Sequence, residues 1–109
     1  MGNPPFRPVR ELEHAVERGD LRMAVAIAKD FAREHGRPLP LGVALKLLPL
    51  VADKRPQSYD AWARHWLMRW LSEGREPTIE AAADVAASLA ELPSEPLTAD
   101  ETIREAARL

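Results

Sequence analysis

One hundred and nine residues, 46% of them hydrophobic and 29% charged, are enough to bury one core without disulfides or metals. The chain has no cysteine, which excludes disulfides, thiolate metal sites and cysteine nucleophiles, and a net charge of −2 makes no general case for nucleic acid. That charge is uneven: residues 1 to 53 sum to about +1, residues 54 to 75 to about +3, and residues 76 to 109 to about −6.

Met1 to Arg7 contains Asn3-Pro4-Pro5 and is expected to be an extended, poorly ordered lead-in, with Phe6 docking onto the core. No charged stretch followed by an apolar one opens the chain, and no lipidation motif is visible, so a cytoplasmic protein is expected. Pro8 suits the first turn of a helix, because its missing N–H would be unpaired there anyway. Val9, Leu12, Ala15 and Val16 share one face of that helix; Gly19 stops it, and Asp20 is a good N-cap for the next. The second predicted helix runs from Leu21 to His35. Leu21, Ala24, Val25, Ile27, Ala28, Phe31 and Ala32 form its apolar arc, and Arg22, Lys29, Asp30 and Arg33 face water. Gly36, Pro38 and Pro40 end it, so the first two helices form an antiparallel hairpin with almost no loop.

The third stretch, Leu41 to Asp53, carries one cation and one anion. On a helix, Gly42, Lys46, Pro49 and Asp53 fall in one narrow stripe and Leu, Val and Ala cover the rest. Such a helix belongs at the centre of a bundle, and its apolar run of about 14 residues is too short to span a bilayer. Pro49 removes one internal hydrogen bond and crowds the carbonyl of Leu45; lying on the polar stripe, it is expected to kink the helix rather than break it.

The fourth predicted helix begins near Ser58, a plausible N-cap, and ends at Gly74. Tyr59, Trp62, Ala63, Trp66, Leu67, Trp70 and Leu71 cover half of it, and all three tryptophans lie four residues apart. Arg64, His65, Met68 and Arg69 occupy the opposite side. Thr78 caps the fifth helix, whose expected inner face is Ile79, Ala82, Ala83, Val85, Ala86, Leu89 and Ala90. Leu92-Pro93-Ser-Glu-Pro96 reads as a linker, residues 93–97 leading into the last helix. Thr98 and Glu101 have the spacing of a capping box at the start of a short last helix, in which Ile103, Ala106 and Ala107 form a weak stripe. No alternating run supports a strand.

The expected fold is therefore all-α: a single domain over residues 1–109, with five main helices and a short C-terminal one. The helix at about 41–53 is central, and the second, fourth and fifth helices pack on it. Leu45, Leu48, Trp62, Trp66, Trp70, Phe31 and Leu89 are the expected core.

Chemistry is sparse. His14, His35 and His65 fall on three different helices with no His-x-x-x-His pair, so no metal site is expected. None of Ser58, Ser72, Ser88 and Ser94 sits in a Gly-x-Ser-x-Gly elbow, and five dispersed glycines make no phosphate-cradling loop. No cofactor and no enzymatic activity are expected. The tryptophan stripe has the spacing of a core face rather than of a base-stacking platform.

Glu17-Arg-Gly-Asp-Leu-Arg-Met-Ala-Val-Ala-Ile-Ala-Lys-Asp-Phe-Ala32 resembles the helical hairpins of tetratricopeptide-like solenoids, in which Gly-Asp-Leu precedes an Ala-rich helix. The repeat's Trp and Leu-Gly-x-x-Tyr positions are absent and no period of about 34 residues recurs, so no solenoid is expected. Ala44 to Leu67, through Leu-Pro-Leu-Val-Ala-Asp-Lys-Arg-Pro and Tyr-Asp-Ala-Trp-Ala-Arg-His-Trp, resembles a group of small all-helical, uncharacterised proteins of high-GC bacteria. Twelve arginines against three lysines fit such a genome. This resemblance implies a compact helical fold and no activity.

Two functions are compatible with the sequence. The first is a non-enzymatic protein-interaction module, self-associating through a basic ridge of Arg64, His65, Met68 and Arg69 against an acidic tail that includes Glu91, Glu95, Asp100, Glu101 and Glu105. The second is a small DNA-binding regulator that presents the fourth helix in a helix-turn-helix-like arrangement.

Overall fold

The computed structural model describes residues 7–74 and 77–109, which leaves the expectations for Met1 to Phe6 outside the described residues. The chain forms α1 (Arg7–Glu17), α2 (Leu21–His35), α3 (Leu41–Ala44), α4 (Leu47–Lys54), a 3-10 turn (Pro56–Ser58), α5 (Tyr59–Glu73), α6 (Ile79–Glu91) and α7 (Pro96–Ala106). No described residue is in a strand. Two tight hairpins, α1–α2 and α6–α7, flank a middle layer of α3, α4 and α5. Leu12, Leu45, Leu48, Val51, Val85, Leu92 and Ile103 are the most deeply buried large side chains, so one core runs through all three parts.

The first hairpin follows from two residues. Gly19 takes a left-handed φ of 71°, which glycine adopts without a side-chain clash. Its N–H donates to the Val16 carbonyl at 3.0 Å, and that of Asp20 to the Ala15 carbonyl at 2.8 Å. This pairing closes the end of α1. The Asp20 carboxylate then accepts from the Met23 N–H at 3.0 Å and opens α2.

The stretch expected to be one kinked helix is broken instead. α3 is a single turn, Leu45 and Lys46 form a turn, and α4 restarts at Leu47. The cause is Pro49, which cannot donate to the Leu45 carbonyl. That carbonyl accepts from the Leu48 N–H at 3.1 Å, and Val43 accepts from the Lys46 N–H at 3.1 Å, both three residues apart. The tightening places Pro49 in the first turn of α4, where a missing N–H leaves nothing unpaired.

Other expectations are corrected in detail. Ser58 ends a 3-10 turn and makes no capping hydrogen bond with its side chain. α7 starts at Pro96 rather than Thr98, because proline suits a first helical position; Thr98 and Glu101 lie inside it, and no side chain caps it. Leu92 lies in the turn between α6 and α7, as expected, but is fully buried. The inner face of α6 is Val85, Ser88 and Leu89, while Ala83, Ala86 and Ala90 are exposed and Ile79 is 91% exposed. Burying valine and leucine removes more apolar area from water than burying alanine, so the larger residues set the rotation. α6 packs chiefly on α7 and then on α5, and not mainly on α3–α4. In α5, Leu71 is 40% exposed. Gly74 ends that helix without a left-handed turn: a Cβ there would stand 2.6 Å from the Trp70 carbonyl oxygen and 2.9 Å from its indole nitrogen.

Candidate binding groove

The broken segment is held from outside by side chains of three other helices. Leu39 O accepts from Arg69 Nη2 at 2.9 Å, and Leu41 O accepts from Trp66 Nε1 at 3.0 Å. Gly42 O accepts from Arg104 Nη2 at 3.0 Å, and Arg104 Nε donates to Asp100 Oδ2 at 2.8 Å. Lys46 Nζ donates to Glu13 Oε1 at 2.7 Å, and this bond holds the Glu13 carboxyl below the usual carboxylate range. Arg69 and Arg104 thus serve the Leu39 and Gly42 carbonyls, whereas the Leu41 carbonyl also accepts from the Leu45 N–H at 3.0 Å.

The same logic operates at the other hairpin. In α6 the natural donor to the Leu89 carbonyl would be residue 93, which is proline. Tyr59 Oη donates to that carbonyl instead, at 2.5 Å. Burial, and then the neighbouring Asp60 carboxylate, push the Tyr59 phenol up to about 12. Trp70 Nε1 donates to Ala107 O at 3.3 Å near the end of α7. The inward stripe of α5 is therefore core and hydrogen-bonding strut at once. Trp66 and Trp70 are each 2% exposed, as expected, whereas Trp62 is only partly buried.

The expected ridge on α5 is not continuous. Arg64 is exposed and pairs with Asp60 at 2.9 Å, one turn back. Met68 is 63% exposed and His65 is also exposed. Arg69 turns inward: its side chain is 14% exposed and bonds Glu73 as well as Leu39 O, holding the Glu73 carboxyl below its usual range. Of the acidic tail, Glu91, Glu95, Glu101 and Glu105 are exposed, whereas Asp100 is engaged with Arg104.

What the structure assembles instead is a groove between α2, the turn before α3, α4 and α5, with a volume of about 420 Å³. Val25, Ala28, Leu39, Leu47, Leu48 and Trp66 make its apolar floor, and Trp62 stands at its side. Lys29, Arg55, His65 and Arg69 also line it. A second recess of about 330 Å³ shares Val25, Lys29 and Arg55 and adds Leu21, Arg22 and Ala26. No carboxylate lines either recess. Arg22, Lys29 and Arg55 form no ion pair with a described residue.

Chemically, the groove can hold an apolar side chain on its floor and accept carboxylates at its edge; arginine can bind a carboxylate through two parallel hydrogen bonds. Among the described residues no three His, Asp or Glu side chains converge in a way that could hold a metal ion. His35 packs on Phe31 with ring centroids 4.3 Å apart, and His14 is exposed. No described helix is long and apolar enough to cross a membrane.

Sequence reasoning placed Lys29 among solvated residues and did not single out Arg55. Docking of α4 and the following turn on α2 puts Arg55 and Lys29 on the same two recesses, and no local pattern announces it. In comparisons with protein-family models, with curated proteins and with solved structures, nothing matches this chain.

Proposed function

We propose that this chain is a non-enzymatic, helical protein-binding module whose α2–α4–α5 groove takes an acidic segment anchored by an apolar side chain. One observation carries the reading. An apolar floor is flanked by Lys29 and Arg55, both without an ion-pair partner among the described residues, in a chain with 17 acidic and 15 basic residues. Cations left unpaired beside apolar surface favour a ligand that brings carboxylates and an apolar anchor together. The partly buried Trp62 belongs to a residue type that dominates binding energy at protein interfaces.

A synthetic amphipathic helical peptide of leucine and glutamate tests this. It should change tryptophan emission on binding, weaken with salt, and bind at least about tenfold less tightly to Lys29→Glu/Arg55→Glu. The same peptide with arginine in place of glutamate should not bind. Equal binding by both peptides, or no effect of the double substitution, overturns the reading.

DNA binding through α5 has less support. Arg64 is paired with Asp60 and Arg69 is committed to Leu39 O and Glu73, so that face offers few free cations for phosphates. Steep salt-dependent retention on a polyanion column would favour it.

A further inference from the structure

We propose that the segment seated in the groove is the start of α7 from a second copy of this chain, with Leu97 on the apolar floor and Glu95 and Glu101 facing Lys29 and Arg55. The inference rests on the groove being a protein-binding surface and names its occupant.

Leu97 is 83% exposed, although the face of α7 that packs inward already has Ala99, Ile103 and Ala107. It therefore belongs neither to the core nor to its own chain's groove. Glu101 lies one turn after Leu97 on the same face of α7, and Glu95 immediately precedes the helix. Neither carboxylate pairs with a described residue; the nearby Asp100 is already taken by Arg104. One exposed leucine with two free carboxylates thus matches one apolar floor with two free cations. The charge balance of the larger regions agrees, with about −6 over residues 76 to 109.

The proposed contact is heterologous: each copy gives its Leu97 to the next copy's groove, rather than two copies exchanging both contacts about a two-fold axis. A pair joined this way keeps one free groove, on one copy, and one free leucine, on the other, and assembly grows until a ring closes or dilution stops it.

Sedimentation of the full chain at low ionic strength tests this, with circular dichroism to verify folding of every variant. Wild type should associate, and Leu97→Ser and Lys29→Glu/Arg55→Glu should each remain monomeric at concentrations about tenfold higher. Mixing the two variants is decisive. Leu97→Ser retains an intact groove and the double variant an intact Leu97, so together they can form one junction and should give a one-to-one dimer. A wild type that stays monomeric, or a mixture that stays monomeric while wild type associates, overturns the proposal. If the leucine–glutamate peptide still binds a monomeric wild type, the groove remains a protein-binding surface with a foreign partner. If that peptide fails as well, both readings fall.

Discussion

α2 and the α3–α4 segment hold their shapes by opposite means. α2 is specified by its own residues: Asp20 caps its start, Gly36 closes its end with a φ of 66°, and Leu21, Ala24 and Phe31 bury one stripe. The α3–α4 segment contains its own interruption at Pro49; Arg69 and Arg104 from α5 and α7 serve its Leu39 and Gly42 carbonyls, and Trp66 adds a second donor to the Leu41 carbonyl. A helix of the first kind is defined by short-range chemistry, whereas one of the second kind adds hydrogen bonds from distant helices to its few local ones. The second kind supplies Leu39, Leu47 and Leu48 to the groove floor, so the shape of the groove depends in part on long-range hydrogen bonds.

Substitutions that separate the two means should differ in size. Trp66→Ala removes a buried indole and the donor to Leu41 O together, and should destabilise the protein by about 3–5 kcal/mol in urea unfolding. Tyr59→Phe leaves Leu89 O without its donor and should cost about 1–3 kcal/mol. Tyr59 also predicts a pH effect. Burial raises its folded pKa to about 12 from the ordinary 10.0 of a phenol, so its contribution to stability is complete below the lower value and lost as pH rises towards the higher. As the only tyrosine in the chain, it should give a single tyrosinate absorbance step, delayed relative to a free phenol and coincident with alkaline unfolding in wild type. A step at the pH of a free phenol would show that Tyr59 is not buried against α6.

Arg104→Met keeps much of the apolar stem and removes the donor to Gly42 O. Because this arginine is partly exposed, the expected loss is only about 1–2 kcal/mol, concentrated on α3. Asp20→Ala deletes a local cap and should cost about 1 kcal/mol, confined to the start of α2, with no effect on peptide binding.

How much of this was legible in the sequence follows the same division. Asp20, Gly19, Gly36 and Thr78 act within a few residues, and each does what its position implies. The buried positions of Trp66, Trp70, Leu45 and Leu48 follow from helical spacing alone. The break at Leu45–Lys46 was harder to foresee, because Pro49 is compatible with either a kink or a restart, and the outcome depends on whether Leu48 can serve the Leu45 carbonyl. The inward turn of Arg69 and the placing of Lys29 and Arg55 on one groove depend on how separate helices dock, so no spacing rule encodes them. α6 shows a further limit: its alanines fit either face, and the larger Val85 and Leu89 decide the rotation.

The most direct test of the claim that α3 and the groove floor are held from outside is residue-resolved amide hydrogen exchange on wild type and Arg104→Met under native conditions. The account predicts faster exchange for the amides of Val43 to Lys46 in the variant, with protection in α2 unchanged. Unchanged protection in α3, or an equal loss in α2 and α3, would contradict it.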